Sequence, residues 1–317
     1  MTADLPIFHH YLPRFYLKRW ADDKQRVCRY SKPHNEIIAR MVSTRSTGGG
    51  NGLYSIPGAP AEEAQRVEIE FMKQLDTLAS EALTMIETRD QRLAQPRYRS
   101  AWSRFIISLL LRMPRDIDAL REGLTKEMIA AVPELDAEYQ HCKADGSADS
   151  FSEFLKTIPD PDWQGWAVEL LPTLIDHEGI GQMINNMIWF TRTITSDYDY
   201  VTSDSPVTMS YSLVKEEGYI FLPIGPKLLF CAVSDRETFE RVEAYNAIEQ
   251  LQNLNKLTIR RATELVFARD ERHLHEVREM MGTRPGKTLL ERLVKYREQK
   301  RGYEVKTSLA GRTDSAP

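Results

Sequence analysis

His9 and His10 stand side by side just ahead of Pro13, and Asp204 stands two residues ahead of Pro206 in Thr202-Ser203-Asp204-Ser205-Pro206-Val207. These residues have the types and settings best suited to chemistry. Histidine titrates near neutrality and serves proton transfer and metal binding alike. Proline fixes φ, so a polar group in front of it rides on a rigid turn. Adjacent histidines point in different directions, so one of the two is expected to address a centre shared with Asp204. The hydroxyls of Thr202 and Ser203 can hold a carboxylate or a phosphate beside it. Arg112, immediately before Met113-Pro114, lies between the polar and apolar faces of its segment, where a guanidinium can reach a cleft while its stem packs. Glu68 sits on the shoulder of an apolar stripe, and a carboxylate there must find a partner or neutralise.

Two mechanisms fit this set. With a divalent metal, Mg²⁺ or Mn²⁺, Asp204 and Glu68 supply oxygen ligands and a histidine binds metal or activates water. Without metal, His9 or His10 is the general base, Asp204 orients it, and Arg112, Arg14 or Lys32 stabilises developing negative charge. A planar guanidinium matches phosphate oxygens two at a time. The expected activity is therefore that of a hydrolase or nuclease acting on a phosphate ester, of the kind deployed as a stand-alone effector or defence protein. The competing reading is a non-catalytic binding protein, in which Asp204 caps backbone N–H groups in an Asx-turn and the histidines are structural.

The block Phe8-His9-His10-Tyr11-Leu12-Pro13-Arg14-Phe15-Tyr16-Leu17 resembles the opening of a family of bacterial proteins catalogued as domain of unknown function number 4238. Thr202-Ser203-Asp204-Ser205-Pro206-Val207 is similar to its second signature. Phe221-Leu222-Pro223-Ile224-Gly225-Pro226 is similar to a third, with Ile224-Gly225 where the family has Leu-Ser. The resemblance extends over most of residues 8–270 and includes a glutamate near Glu68, the Arg-Pro neighbourhood of Arg112 and an asparagine at Asn255. It implies positions that matter, not a reaction.

The elements that must carry these residues are legible from pattern. Residues 26–30 and 36–42 read as strands around the turn Lys32-Pro33-His34-Asn35. Gly48-Gly49-Gly50-Asn51-Gly52 lacks the Gly-Lys-Ser/Thr ending of a phosphate loop and is expected to be a mobile loop. A long helix is predicted over Ala61–Thr88 with Val67, Phe71, Leu75, Leu78, Ala82 and Ile86 on one stripe. A second starts at Pro96, and helices fill 116–178 as an insert. Strands at 200–201, 207–211, 219–222 and 228–233 precede helices from 237 and over 248–267, where Asn255 is expected to bond backbone. The fold class is α+β, mostly helical, with one small antiparallel sheet holding both the 27–42 hairpin and the 199–233 strands. Clustered strands rule out repeated βαβ units. A single domain over 1–270 is followed by a basic amphipathic helix over 271–301 and a disordered tail over 302–317.

Composition narrows the class further. The net charge is −4 across 317 residues, so the molecule as a whole does not attract polyanions. Any contact with nucleic acid or nucleotide is expected through basic helices, with Arg89, Arg92, Arg97, Arg99 and Arg104 joining the C-terminal helix. Cys28, Cys142 and Cys231 show no CxxC spacing. With no membrane-length apolar run and no signal-peptide pattern, the expected location is cytoplasmic, with no membrane partner.

Overall fold

Pro13 sets the first turn of the fold. Phe8–His10 form a short strand, β1, and Pro13 (φ −58°, ψ 143°) precedes a helix over Arg14–Leu17 that tightens into a 3-10 turn over Lys18–Trp20. Tyr11, Leu12, Tyr16, Leu17 and Trp20 are all buried. The Tyr16 hydroxyl donates to the Pro223 carbonyl at 2.8 Å and accepts from Thr202 Oγ1 at 2.7 Å, while Trp20 Nε1 donates to the Tyr200 carbonyl at 2.7 Å. Buried aromatics need such partners for their polar tips. The three signature stretches thus meet at one tyrosine hydroxyl.

The computed structural model describes residues 7–297 apart from 57, 145, 158–162 and 214–215. Helix accounts for 54% and strand for 16%, so the class is α+β and mostly helical. The strands are β2 (Arg26–Ser31), β3 (Ile38–Ser43), β4 (Gly49–Asn51), β5 (Ile188–Thr193), β6 (Thr202–Ser203), β7 (Thr208–Met209), β8 (Tyr219–Gly225), β9 (Leu228–Val233) and β10 (Leu265–Ala268). They form three antiparallel sheets, ordered β1-β4, β3-β2-β10-β6 and β5-β9-β8-β7, where one sheet was expected. The hairpin does share a sheet with Thr202–Ser203, but only through β10. That strand lies inside the helix expected to run to Phe267; the helix stops at Arg261. A four-residue apolar run has no periodicity to tell strand from helix.

The glycine run is the partner strand of the histidine block. β1 and β4 pair in the register Phe8↔Asn51, His9↔Gly50, His10↔Gly49. A Cβ at Gly49 would stand 2.5 Å from the His9 carbonyl oxygen and 2.5 Å from the Phe8 ring, whereas one at Gly50 would meet nothing within 4 Å. Close backbone approach explains Gly49, and a left-handed backbone (φ +64° at each) explains Gly48 and Gly52; the run is a paired strand with its flanking turns rather than a mobile loop. Gly49→Ala is expected to cost about 1–3 kcal/mol, the scale of overpacking, and Gly50→Ala under about 0.5 kcal/mol. Urea midpoints of the two variants check this pair.

Helices wrap these sheets. The helix Lys73–Thr88 packs on Pro96–Leu109, and Pro114–Cys142 packs on Trp163–Ile175. Val168, Leu171 and Ile175 from the 116–178 stretch share one core with Tyr16, Trp102 and Phe105. Asn255 bonds backbone as expected, accepting from Val201 N at 3.0 Å and donating to the Asp199 carbonyl at 2.8 Å. Residues 271–280 form a 3-10 turn and the helix Leu274–Met280, and residues 289–297 are helical after a Thr288/Glu291 capping box. The tail expected over 302–317 lies outside the described residues. No described helix is long and apolar enough to cross a membrane.

Candidate active site

The helix predicted over 61–88 is interrupted where Glu68 sits. Ala61–Ala64 is α-helical, Val67–Met72 is a π-helical turn, and Lys73–Thr88 is again α-helical. A π turn inserts one residue into the helical register, and such insertions concentrate at functional sites. Its effect here is concrete: Met72 is buried and Phe71 only half-buried, a one-residue slip from the predicted 67/71 stripe. After the slip, Lys73, Asp76, Thr77, Ser80 and Thr84 fall at helical spacing on one polar face. That face, with Glu68, His10 and Arg14, lines a cleft of about 620 Å³.

His10 and Glu68 bring opposite perturbations to this cleft. Burial, then the neighbouring Arg14, pushes the His10 imidazole down to about 4, against the pull of the Arg45 and Thr44 carbonyls. Its Nε2 is buried with no hydrogen-bond partner among the described residues. Burial, then Asp76, pushes the Glu68 carboxyl up to about 7, with Arg112 and Lys73 opposing. Its Oε2 is likewise buried without a partner. Near neutrality the histidine is therefore an uncharged base and the glutamate a proton carrier. Two groups whose environments drive their pKa values away from the ordinary are the usual mark of acid–base assignment.

Arg112 stands behind the cleft and holds it in shape. It is fully buried, its Nη1 donates to Asp76 Oδ1 at 3.0 Å, and its guanidinium lies 5.7 Å from the centre of the Phe105 ring. Tyr54 donates its hydroxyl to the Arg112 carbonyl at 3.0 Å. Burial raises the Asp76 carboxyl and the Arg112 charge draws it back.

His9 does something else. Its Nδ1 accepts from Tyr54 N at 2.9 Å, its Nε2 faces Gln65 Oε1 at 2.6 Å, and its ring stacks on Tyr54. Since Nδ1 accepts, Nε2 carries the proton that Gln65 receives. His9 is a buried tie between β1, the 52–55 turn and the helix start, so His10 is the histidine that addresses the cleft.

Asp204 is likewise committed. Its carboxylate accepts from Thr263 N (3.0 Å), Thr263 Oγ1 (2.9 Å), Glu264 N (2.6 Å) and Leu265 N (3.0 Å), and Asp204 N donates to the Leu265 carbonyl at 3.0 Å. It does not line the cleft, so the expected His–Asp204 centre is replaced by a latch holding β10 beside β6. Thr202 and Ser203 are fully buried. Thr202 bonds Tyr16 and Ser203 Oγ accepts from Ser205 N at 3.0 Å, so both are structural rather than substrate-facing. Lys32 is exposed in the turn after β2, at the opposite end of the β2–β3 hairpin from Thr44 and Arg45. Six residues of strand separate the two ends by roughly 20 Å. Asp204 and Glu68 stand in different surroundings, and among the described residues no group of three or more His, Cys, Asp or Glu could hold a metal ion.

The basic stretch 89–104 is also largely spoken for. Arg92 pairs with Asp90 and Arg104 with Asp176, while Arg99 donates to the Asn185 and Met187 carbonyls and lies over Trp189. Sequence reasoning passed over Asp76, Lys73, Tyr54, Gln65 and Arg45. The polar i, i+3, i+4 run from Lys73 to Thr84 was the signal available for the first two. A larger cleft, about 760 Å³, lies beside Tyr219, Phe221 and Arg241. There Arg241 is satisfied by Glu217, and among the described residues no acid–base pair comparable to His10 and Glu68 faces it. The family model described as Protein of unknown function (DUF4238) matches residues 9–272 of the chain. No curated protein and no solved structure matches it.

Proposed function

The chain belongs to the family of proteins of unknown function DUF4238, and we propose that it is a phosphate-ester hydrolase with His10 and Glu68 as its proton-transfer pair. One observation carries the reading: two buried, unpartnered titratable atoms, His10 Nε2 and Glu68 Oε2, belong to side chains lining one cleft together with the cations Arg14 and Lys73. In the step this implies, water attacks phosphorus while His10 Nε2 accepts its proton. The phosphorus–oxygen bond to the leaving group breaks, and protonated Glu68 donates to the departing oxygen. Solvent then carries the proton from the imidazolium back to the carboxylate, so the pair is restored. Arg14 and Lys73 hold the anionic ester; Arg112 acts through Asp76 as a positioning residue.

The test is turnover of p-nitrophenyl phosphate and its bis ester from about pH 3 to 8, a span that brackets the two perturbed groups at about 4 and about 7. Turnover that persists with EDTA is expected. Turnover only with added Mg²⁺ or Mn²⁺ would return the carboxylates to a metal role. No turnover at any pH, with inorganic phosphate still bound in calorimetry, would leave a binding protein.

A further inference from the structure

Four arginines around the histidine block and the β2–β3 hairpin form no ion pair with any described residue. Arg14, Arg29, Arg40 and Arg45 make no side-chain hydrogen bond or ion pair with any described residue, and the Nε atoms of Arg14 and Arg29 are buried and unpartnered. Carboxylates are not scarce in this chain, which has 46 acidic against 42 basic residues. Moreover the four come as like-charged pairs. Arg29 and Arg40 are directly opposite each other in the β2–β3 ladder, an arrangement that destabilises a sheet. Arg14 and Arg45 are close enough that Arg45, after burial, lowers Arg14. Both pairs adjoin the histidine block, since Arg14 and the Arg45 carbonyl face His10 and Arg29 neighbours Tyr11. Asp204 and Glu264 also act on Tyr11, but the Asp204 carboxylate is taken up by Thr263–Leu265 and neither pairs with Arg29. Packing gives no reason for a chain to tolerate two repulsive pairs on one hairpin and the block it meets; an anion lying across both would relieve them.

The dimensions indicate what kind of anion. β3 carries Arg40 and runs on to Ser43, roughly 10 Å along at 3.3 Å per residue, with Arg45 in the turn beyond it. That exceeds one phosphate group and suits several linked ones. His10 and Glu68 are recessed, so the reacting ester must enter from an unpaired strand rather than from the outside of a duplex. We infer that Arg14, Arg29, Arg40 and Arg45 form a track for the phosphates of a single-stranded nucleic acid, and that the ester cleaved is a linkage within that strand. This inference rests on the hydrolase reading of the cleft and assigns its substrate. It places the nucleic-acid contact on strands and loops rather than on the basic helices.

The test is fluorescence anisotropy with labelled oligo(dT) and oligo(U) of about 20 nucleotides, unstructured strands that report backbone contact. Four phosphate contacts predict a slope of log affinity on log salt of about −3, at roughly −0.7 per contact for single strands. The Arg29→Ala/Arg40→Ala double variant should halve that slope and bind at least about tenfold more weakly at about 50 mM salt. Its turnover of bis(p-nitrophenyl) phosphate should stay within about twofold of the parent, because neither residue lines the cleft. Arg40→Glu, at an exposed position, gives the same reading should the double variant not fold. Absent or salt-independent binding, an unchanged slope in the variants, or tighter binding of inorganic polyphosphate would overturn the track. Loss of small-diester turnover in the parent protein would instead overturn the hydrolase reading, so the two failures are separable.

Discussion

Glu68→Gln is expected to abolish most turnover while making the protein more stable. Removing a general acid costs about 10²–10⁴ in kcat, and His10→Ala should fall in the same range. The pH profile of kcat/KM in the parent should be bell-shaped. It should fall below about 4, where His10 takes up a proton, and above about 7, where Glu68 loses one. Stability follows from the sign of the same shift. Glu68 is raised in the folded state, so its contribution is complete below its ordinary value of 4.5 and is lost as pH rises through about 7. Above that pH the native protein must carry a charge in a desolvated place, and a glutamine does not. The variant should therefore match the parent in stability near pH 4 and exceed it by on the order of 3 kcal/mol above pH 7. Denaturant melts at the two pH values read this directly. A fully active Glu68→Gln would remove the acid from the mechanism, and equal stability at both pH values would remove the burial argument behind it.

Asp204→Asn should have the opposite profile, a large loss of stability without a loss of chemistry. The carboxylate gathers three consecutive backbone N–H groups and one hydroxyl from Thr263–Leu265. An amide keeps one acceptor oxygen and turns a donor toward groups that are donors themselves. Hydrogen bonds to a charged acceptor contribute about 1.5–3 kcal/mol each, and an unsatisfied buried donor costs about 1–3. A loss of about 3–4 kcal/mol is therefore expected, or roughly 4–6 °C in Tm for a chain of 317 residues. Turnover per folded molecule, measured well below the melting transition, should be unchanged because Asp204 does not line the cleft. A stable variant that is inactive would restore Asp204 to the centre from which the structure separates it.

These two variants mark the line between what was legible in the residues and what was not. His10, Glu68, Arg112 and Arg14 stand out in the sequence because each is a polar group in an apolar or proline-fixed setting, and all four gather at the cleft. Asp204 stands out for the same reason, yet its partners lie some sixty residues further on in the chain. No local pattern says whether a carboxylate before a proline will face a cleft or three backbone amides. The glycine run follows the same rule: its lack of side chains is obvious, but the strand that Gly49 must approach closely lies some forty residues earlier.

The sequence by itself determined the periodic elements, the proline-fixed opening turn, the α+β class and the short roster of unusual polar residues, because each depends on neighbours within a few positions. The tertiary structure alone decided which histidine is free to work, where the π turn aims Glu68, that β10 is a strand, and that Asp204 is a latch. Each of those rests on which atoms lose water and which donors reach them, and desolvation and hydrogen-bond partners are fixed by segments distant in the chain.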